Sequence, residues 1–206
     1  MKYDIAEILK GCIEAENLPY VDCLAGLVQT ETAMKTGKKK GDIVEKSFPI
    51  YCPKTDPCDP NNIMPLVPDE KLKSLFYFES NGDVLFNGRE KGASKFTADL
   101  LLTGWLNPRM LGFDDCSITA PIVAELIRIM DKGFFNGPNG IYSRIIIKPI
   151  SLKTKERSIF SKYKYGTKFY HLLEYPYDYF QIRFQVEFWL HDNCMPDFVP
   201  QPPIVC

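Results

Sequence analysis

Long apolar runs are missing from this sequence. No stretch reaches the roughly 18 consecutive apolar residues that a membrane-spanning helix needs, so no transmembrane helix is predicted. The opening Met1-Lys2-Tyr3-Asp4 leads into an amphipathic, partly acidic segment without the apolar centre of a secretory signal, and export by that route is not expected. An excess of charge of one sign is missing too. There are 25 basic and 26 acidic residues, a net charge of −1, so the molecule as a whole lacks the field that draws nucleic acid or membrane. Histidine is scarce, at His171 and His191. His191 stands beside Asp192, but neighbours on a strand point to opposite faces, so the pair does not read as a catalytic dyad. Nucleophile-elbow, phosphate-loop, dinucleotide-turn and zinc-protease motifs do not occur. No catalytic residue, cofactor or metal ligand is therefore assigned, and the chain does not read as an enzyme.

The seven cysteines, Cys12, Cys23, Cys52, Cys58, Cys116, Cys194 and Cys206, are odd in number and scattered. Cys12 falls on the apolar face of a predicted helix and Cys23 in a predicted strand, which suits reduced, buried thiols better than a disulfide framework. Cys52 and Cys58 lack the short paired spacings of a structural zinc site. Asp56, Asp59, Asn61 and Asn62 are rich in oxygen, but the central glycine and distal glutamate of a calcium loop are not in register. Asp-Pro and Pro-Asn pairs there read as turns.

What is present is a clear succession of elements. Ile5, Ile8, Leu9, Cys12 and Ile13 form the apolar stripe of a helix over 2–16, ended by Asn17-Leu18-Pro19. Residues 22–32 and 43–51 read as two strands joined by the basic loop Gly37-Lys38-Lys39-Lys40-Gly41, an extended hairpin. Residues 52–70 hold Pro53, Pro57, Pro60, Pro65 and Pro68, too many for a central strand or a helix, and read as an ordered arm. Asn81-Gly82 between apolar runs predicts a second hairpin. A long strand follows over 94–107. A second helix then carries Ile122, Leu126, Ile129 and Met130 on its buried side, with Ser117 or Thr119 as cap and Pro121 in the first turn. Asp114-Asp115 ahead of it favour its positive end. Residues 141–152 read as a strand, while 153–170 fit no element. Over 177–190, Phe180, Ile182, Phe184, Val186, Phe188 and Leu190 alternate with Gln181, Arg183, Gln185, Glu187 and Trp189, one face in the core and one outside. Residues 191–206 form an irregular, proline-rich tail.

The fold class is α+β: a mixed, mostly antiparallel β-sheet with two helices packed on one face, an extended β-hairpin and a proline-rich arm, all in one domain over 1–206. Two surfaces invite contacts. Ile63, Met64, Leu66 and Val67 on the arm are candidates for burial against a neighbouring subunit. Between 144 and 168, Arg144, Lys148, Lys153, Lys155, Arg157, Lys162, Lys164 and Lys168 accompany a single acid, Glu156, and Tyr163 and Tyr165 alternate with Lys162 and Lys164. Basic and aromatic interleaving of this kind can follow a nucleic-acid backbone; a solvated loop with its lysine stems on the surface is the plainer reading. Lys38, Lys39 and Lys40 are further basic contact candidates, and also suit a solvated tip that blunts edge pairing.

The order of elements resembles the neck and tail-ring proteins of tailed bacteriophages, of the tail-terminator and head–tail joining type. The parts are played by 1–17, 22–51, 94–107, 117–130 and 177–190. The segments Leu18-Pro19-Tyr20-Val21-Asp22-Cys23-Leu24-Ala25-Gly26-Leu27-Val28-Gln29-Thr30 and Leu66-Val67-Pro68-Asp69 are similar to phage structural proteins of gut bacteria. The resemblance implies a virion protein without an active site, assembled in the host bacterial cytoplasm into a ring of its own copies. Adjacent neck or tail proteins would be its partners, with non-specific contact to passing DNA and none to membrane. The arm and the tail depart from the small tail terminators. A phage-encoded nucleic-acid-binding accessory protein using 144–168 is the alternative.

Overall fold

The computed structural model describes residues 1–36, 43–52, 63–113, 118–131, 134–135, 142–165 and 167–191. Helix α1 spans Lys2–Ala15 and buries Ile5, Ala6, Leu9 and Ile13, as the periodicity predicts. Asn17 then turns left-handed at φ 48°, which ends the helix ahead of Pro19. Among the described residues no helix is long and apolar enough to cross a membrane.

The strand predicted over 22–32 is two strands in two sheets. Strand β1, Cys23–Leu27, lies parallel to β5, Ser74–Glu90. Strand β2, Gln29–Thr36, lies antiparallel to β3, Ile43–Tyr51. The break falls at Val28, just after a register slip at Gly26, where a side chain has no room: a Cβ there would sit 1.8 Å from Glu7 Oε1 and 3.0 Å from the Tyr51 ring. This close approach lets α1 and β3 press on the bend. The Val28 N–H still donates to Phe78 O at 2.9 Å. The extended hairpin is thus β2 and β3, with its tip, including Lys38, Lys39 and Lys40, outside the described residues. Strand β4, Met64–Pro65, completes this smaller sheet against Ile50 and Tyr51.

The hairpin predicted at Asn81-Gly82 is a bulge inside β5. Pairing with β6, Ala93–Leu106, slips between Asn81 and Val84 and resumes to Glu90. The turn lies at Lys91-Gly92, where both residues have positive φ, 51° and 76°, the geometry of a two-residue hairpin loop. Both dipeptides tolerate that backbone. The choice goes to the turn that gives all of β6 a partner and lays Phe78 opposite Leu102 and Phe86 opposite Phe96.

Helix α2, Thr119–Met130, buries Ile122, Val123, Leu126, Ile129 and Met130. Thr119 does not cap it. Its hydroxyl donates to the buried Asp178 carboxylate instead, and Ile118 occupies the cap position; Ser117, Asp114 and Asp115 lie outside the described residues. Strand β7, Phe134–Phe135, pairs with β8, Tyr142–Thr154, which pairs with β9, Asp178–His191. The main sheet runs β1-β5-β6-β9-β8-β7, antiparallel except for β1 against β5. The predicted alternation of β9 holds: Phe180, Ile182, Phe184, Val186, Phe188 and Leu190 are buried in one cluster with Phe76, Phe78, Leu100, Leu102 and the apolar faces of both helices. Trp189, expected on the polar side, is also buried, beneath the cations of Lys95 and Arg144 at 5.0 and 5.3 Å from its ring.

The stretch that fits no element in the sequence is a strap across the helix-free face. Short 3-10 turns at Arg157–Ile159 and Thr167–Leu173 set Ile159, Phe160, Tyr163, Phe169 and Leu172 against Leu75, Tyr77, Trp105 and Tyr179 of the sheet. Among the described residues there are therefore two apolar clusters, one on each side of the main sheet.

Candidate functional site

The strap is fixed by a buried carboxylate. Glu79 on β5 is 3% exposed. Its Oε2 accepts from Thr103 Oγ1 and Gln181 Nε2, each at 3.0 Å, and its Oε1 accepts from Tyr163 OH and faces Lys162 Nζ at 2.7 Å. Residues on three adjacent strands and the strap thus converge because alternate positions of β5, β6 and β9 share this face. Burial, then the charge of Glu79, pushes the Tyr163 phenol far above its ordinary value, and burial does the same to Tyr77 and Tyr165. These phenols stay protonated through the physiological range. The cluster holds two layers together and offers no tyrosinate base. Trp105 adds a second tie, its indole N–H donating to Leu172 O at 2.8 Å.

The same strap holds the basic candidates, and the structure places them beside acids. Lys153 pairs with Glu156 at 3.3 Å, Lys155 approaches Asp178 at 3.8 Å, Arg157 meets Glu174 at 3.4 Å and Lys162 meets Glu79. Lys164 joins the strap to β3 through two backbone hydrogen bonds with Ser47, at 2.8 and 3.1 Å. Nearby, Lys148 and then Lys95 hydrogen-bond Glu187 and hold its carboxyl below the usual range. The alternating tyrosines do not face solvent as a stacking platform. Tyr163 is buried on Glu79, and Tyr165 stacks on Phe169 at 3.8 Å between ring centres.

On the arm, Leu66 differs from its neighbours. It is 1% exposed, inside the second apolar cluster, and its N–H donates to Pro49 O at 2.9 Å. Ile63, Met64 and Val67 remain exposed. Residues 53–62 of the arm lie outside the described residues.

Two cavities among the described residues stand out. One, about 420 Å³, is lined mainly by Pro19, Met110, Leu111, Phe113, Ile118 and Ile122. Tyr20 donates there to Glu125 Oε2 at 2.9 Å, and burial raises its phenol beyond use as an acid or base near neutrality. The other, about 380 Å³, lies within the strap among Phe160, Tyr163, Tyr165, Phe169 and Leu173. His171 contacts Glu70 at the surface, Nε2 to Oε1 at 2.9 Å, and lines neither cavity; His191 lies at the far end of β9. Among the described residues, no group of three or more His, Cys, Asp or Glu is arranged to hold a metal ion.

The edges of the main sheet carry what the sequence reading missed. Strand β1 covers β5 only across Leu75–Phe78, and β7 covers β8 only at Arg144 and Ile145. Beyond these points no strand lies outside β5 or β8 among the described residues. Each bare half carries two exposed apolar side chains: Leu85 and Phe86, both 60% exposed, and Ile150 and Leu152, at 51% and 48%. The sequence shows them only as apolar residues of predicted strands, because edge position is invisible without the pairing. Compared with known proteins, the chain matches no family model, no curated protein and no solved structure.

Proposed function

We propose that this chain is a structural subunit that acts by assembling with copies of itself, as a ring at the neck or tail of a tailed-bacteriophage virion, joining head to tail or closing the tail. The observation that carries this reading is the pair of bare sheet edges, each with two large apolar side chains in solvent on a protein whose sheet is otherwise covered by helices and strap. Such residues gain free energy when a neighbour buries them. The outward Ile63, Met64 and Val67 add a third apolar strip. The order of helix, extended hairpin, antiparallel strands and helix supports the choice of a phage ring. The nucleic-acid alternative has less support, since the tyrosines that would stack on bases serve the core and most of the basic groups already face acids.

Native mass spectrometry of the purified chain tests the assembly reading. A closed oligomer of defined copy number is expected. A monomer at all concentrations up to those of an assembling particle would defeat it. Detection of the chain in purified virions by peptide mass mapping tests the location.

A further inference from the structure

We infer that copies of this chain join edge to edge, the outer side of β8 at Leu152–Thr154 pairing antiparallel with the outer side of β5 at Val84–Phe86 in the next copy. This deepens, and rests on, the reading of the chain as an assembly subunit.

The argument begins with strand direction. Each step from β5 through β6 and β9 to β8 is antiparallel, so β8 runs opposite to β5. A second copy placed in the same sense beside β8 therefore presents its β5 antiparallel, with both helix layers on the same side. The other edge strand, β1, is a poor partner. It is only five residues long, its pairing slips between Ala25 and Leu27, and the chain leaves for the smaller sheet directly after it.

Bulges and proline then confine the contact. Open edges are commonly blunted by bulges, proline and lysine. On β8, Lys148, Pro149 and the register slip between Pro149 and Ser151 blunt the middle of the edge and leave Ser151–Thr154 regular. On β5, slips on both sides bound the regular window Val84–Phe86, which carries the two exposed apolar side chains. The exposed Leu152 and Phe86 fix how the two windows align. Aligned, they set Leu152 opposite Phe86, Lys153 opposite Leu85 and Thr154 opposite Val84.

Faces and charges agree with that register. Leu152 pairs with Ile182 and Phe86 with Phe96, both on the helix side, so the two exposed side chains meet on one face. Phe86 already leans on Phe96, which stacks on Phe188, with ring centres 5.4 and 5.5 Å apart; Leu152 would extend this row into the neighbour. Farther along, Lys148 of one copy comes level with Glu90 of the next, and Lys153 comes near Asp83. The contact uses two different surfaces, so each copy retains one of each for the next, and the series forms a ring where the rotation per copy closes. Leu152 is level with Phe78 of its own sheet through Ile182 and Leu102. Pairing with Phe86 thus offsets neighbours along the strands, the tilt that closing a sheet requires.

The test is a charge-pair cycle at two exposed positions, followed by native mass spectrometry and sedimentation. Leu152→Glu and Phe86→Lys should each weaken self-association by at least about tenfold, because each sets a charge against an apolar partner. The double variant, with Glu facing Lys, should regain most of it. Thermal melting of each variant checks that the fold is kept. Single variants that assemble like the parent chain, or a double variant no better than the singles, would overturn this interface while leaving the assembly reading intact. A parent chain that is monomeric would remove both. Slow amide exchange at Leu152–Thr154 in variants that are monomeric would show that a segment of the same chain holds the edge, and would also overturn the inference.

Discussion

Glu79 and Lys162 meet across the seam between sheet and strap, carboxylate oxygen to ammonium nitrogen at 2.7 Å. The carboxylate is buried and the ammonium half in water, so the value of the contact lies less in the ion pair than in what the carboxylate does for Thr103, Tyr163 and Gln181. Removing it takes the acceptor from the Thr103 and Tyr163 hydroxyls, while Gln181 keeps its bond to Thr103 Oγ1 at 2.9 Å. Glu79→Ala is expected to cost about 2–3 kcal/mol in urea unfolding. Trypsin should then cut at Lys162 and Lys164 faster than in the parent chain. Unchanged cleavage there would mean that the aromatic contacts alone hold the strap.

The buried phenols predict alkaline behaviour. Tyr77, Tyr163 and Tyr165 have folded-state values raised by burial first, so the folded state keeps protons that the unfolded chain gives up. Stability from these groups is fully present below the ordinary phenol value of about 10 and falls as pH rises above it. Ultraviolet titration should show these three ionising together with the loss of tertiary structure.

The turn at Lys91-Gly92 offers a gain. Lys91 holds φ 51° without the tolerance of asparagine or glycine for that region. Lys91→Asn should stabilise the protein by about 0.5–1 kcal/mol. Gly92→Ala should cost about 1–2 kcal/mol. Both are read from denaturant midpoints.

Phe184 lies at the centre of β9 with no exposed surface, between the sheet and the helices. Phe184→Ala is expected to cost about 3–5 kcal/mol. A loss under about 1 kcal/mol would contradict its packing.

The arm divides at Leu66. Replacing 53–62 by a short linker should leave thermal melting near that of the parent and reduce incorporation into particles. Leu66→Ala should instead cost about 2–5 kcal/mol of folding stability, whereas Met64→Ser and Val67→Ser should barely change it. A shortening carried through residue 67 would therefore damage the core, since it removes both Leu66 and the pairing of β4 with β3.

Much of this was legible in the residues. The stripe Ile5, Leu9, Ile13 and the alternation Phe180 to Leu190 place one helix and the central strand, because periods of 3.6 and 2 translate directly into one buried face. From these follow the α+β class and the packing of two helices on one face of a mostly antiparallel sheet. Local signals failed where two sites offered the same backbone. Asn81-Gly82 and Lys91-Gly92 both allow positive φ, and only the pairing of β5 with all of β6 decides between a bulge and a turn. The break at Val28 was hidden in the same way, since a strand keeps its alternation when it passes from one sheet to the next. The tertiary structure alone decided the fate of 153–170 and of the edges. Tyr163 and Tyr165 among lysines look solvated until Glu79, more than eighty residues away in the chain, supplies their neighbourhood. Leu152 and Phe86 are apolar residues of predicted strands, and only strand order leaves them at the rim. Sequence patterns report which face of an element is apolar; what covers that face depends on contacts between distant residues, and those exist only once the chain is folded.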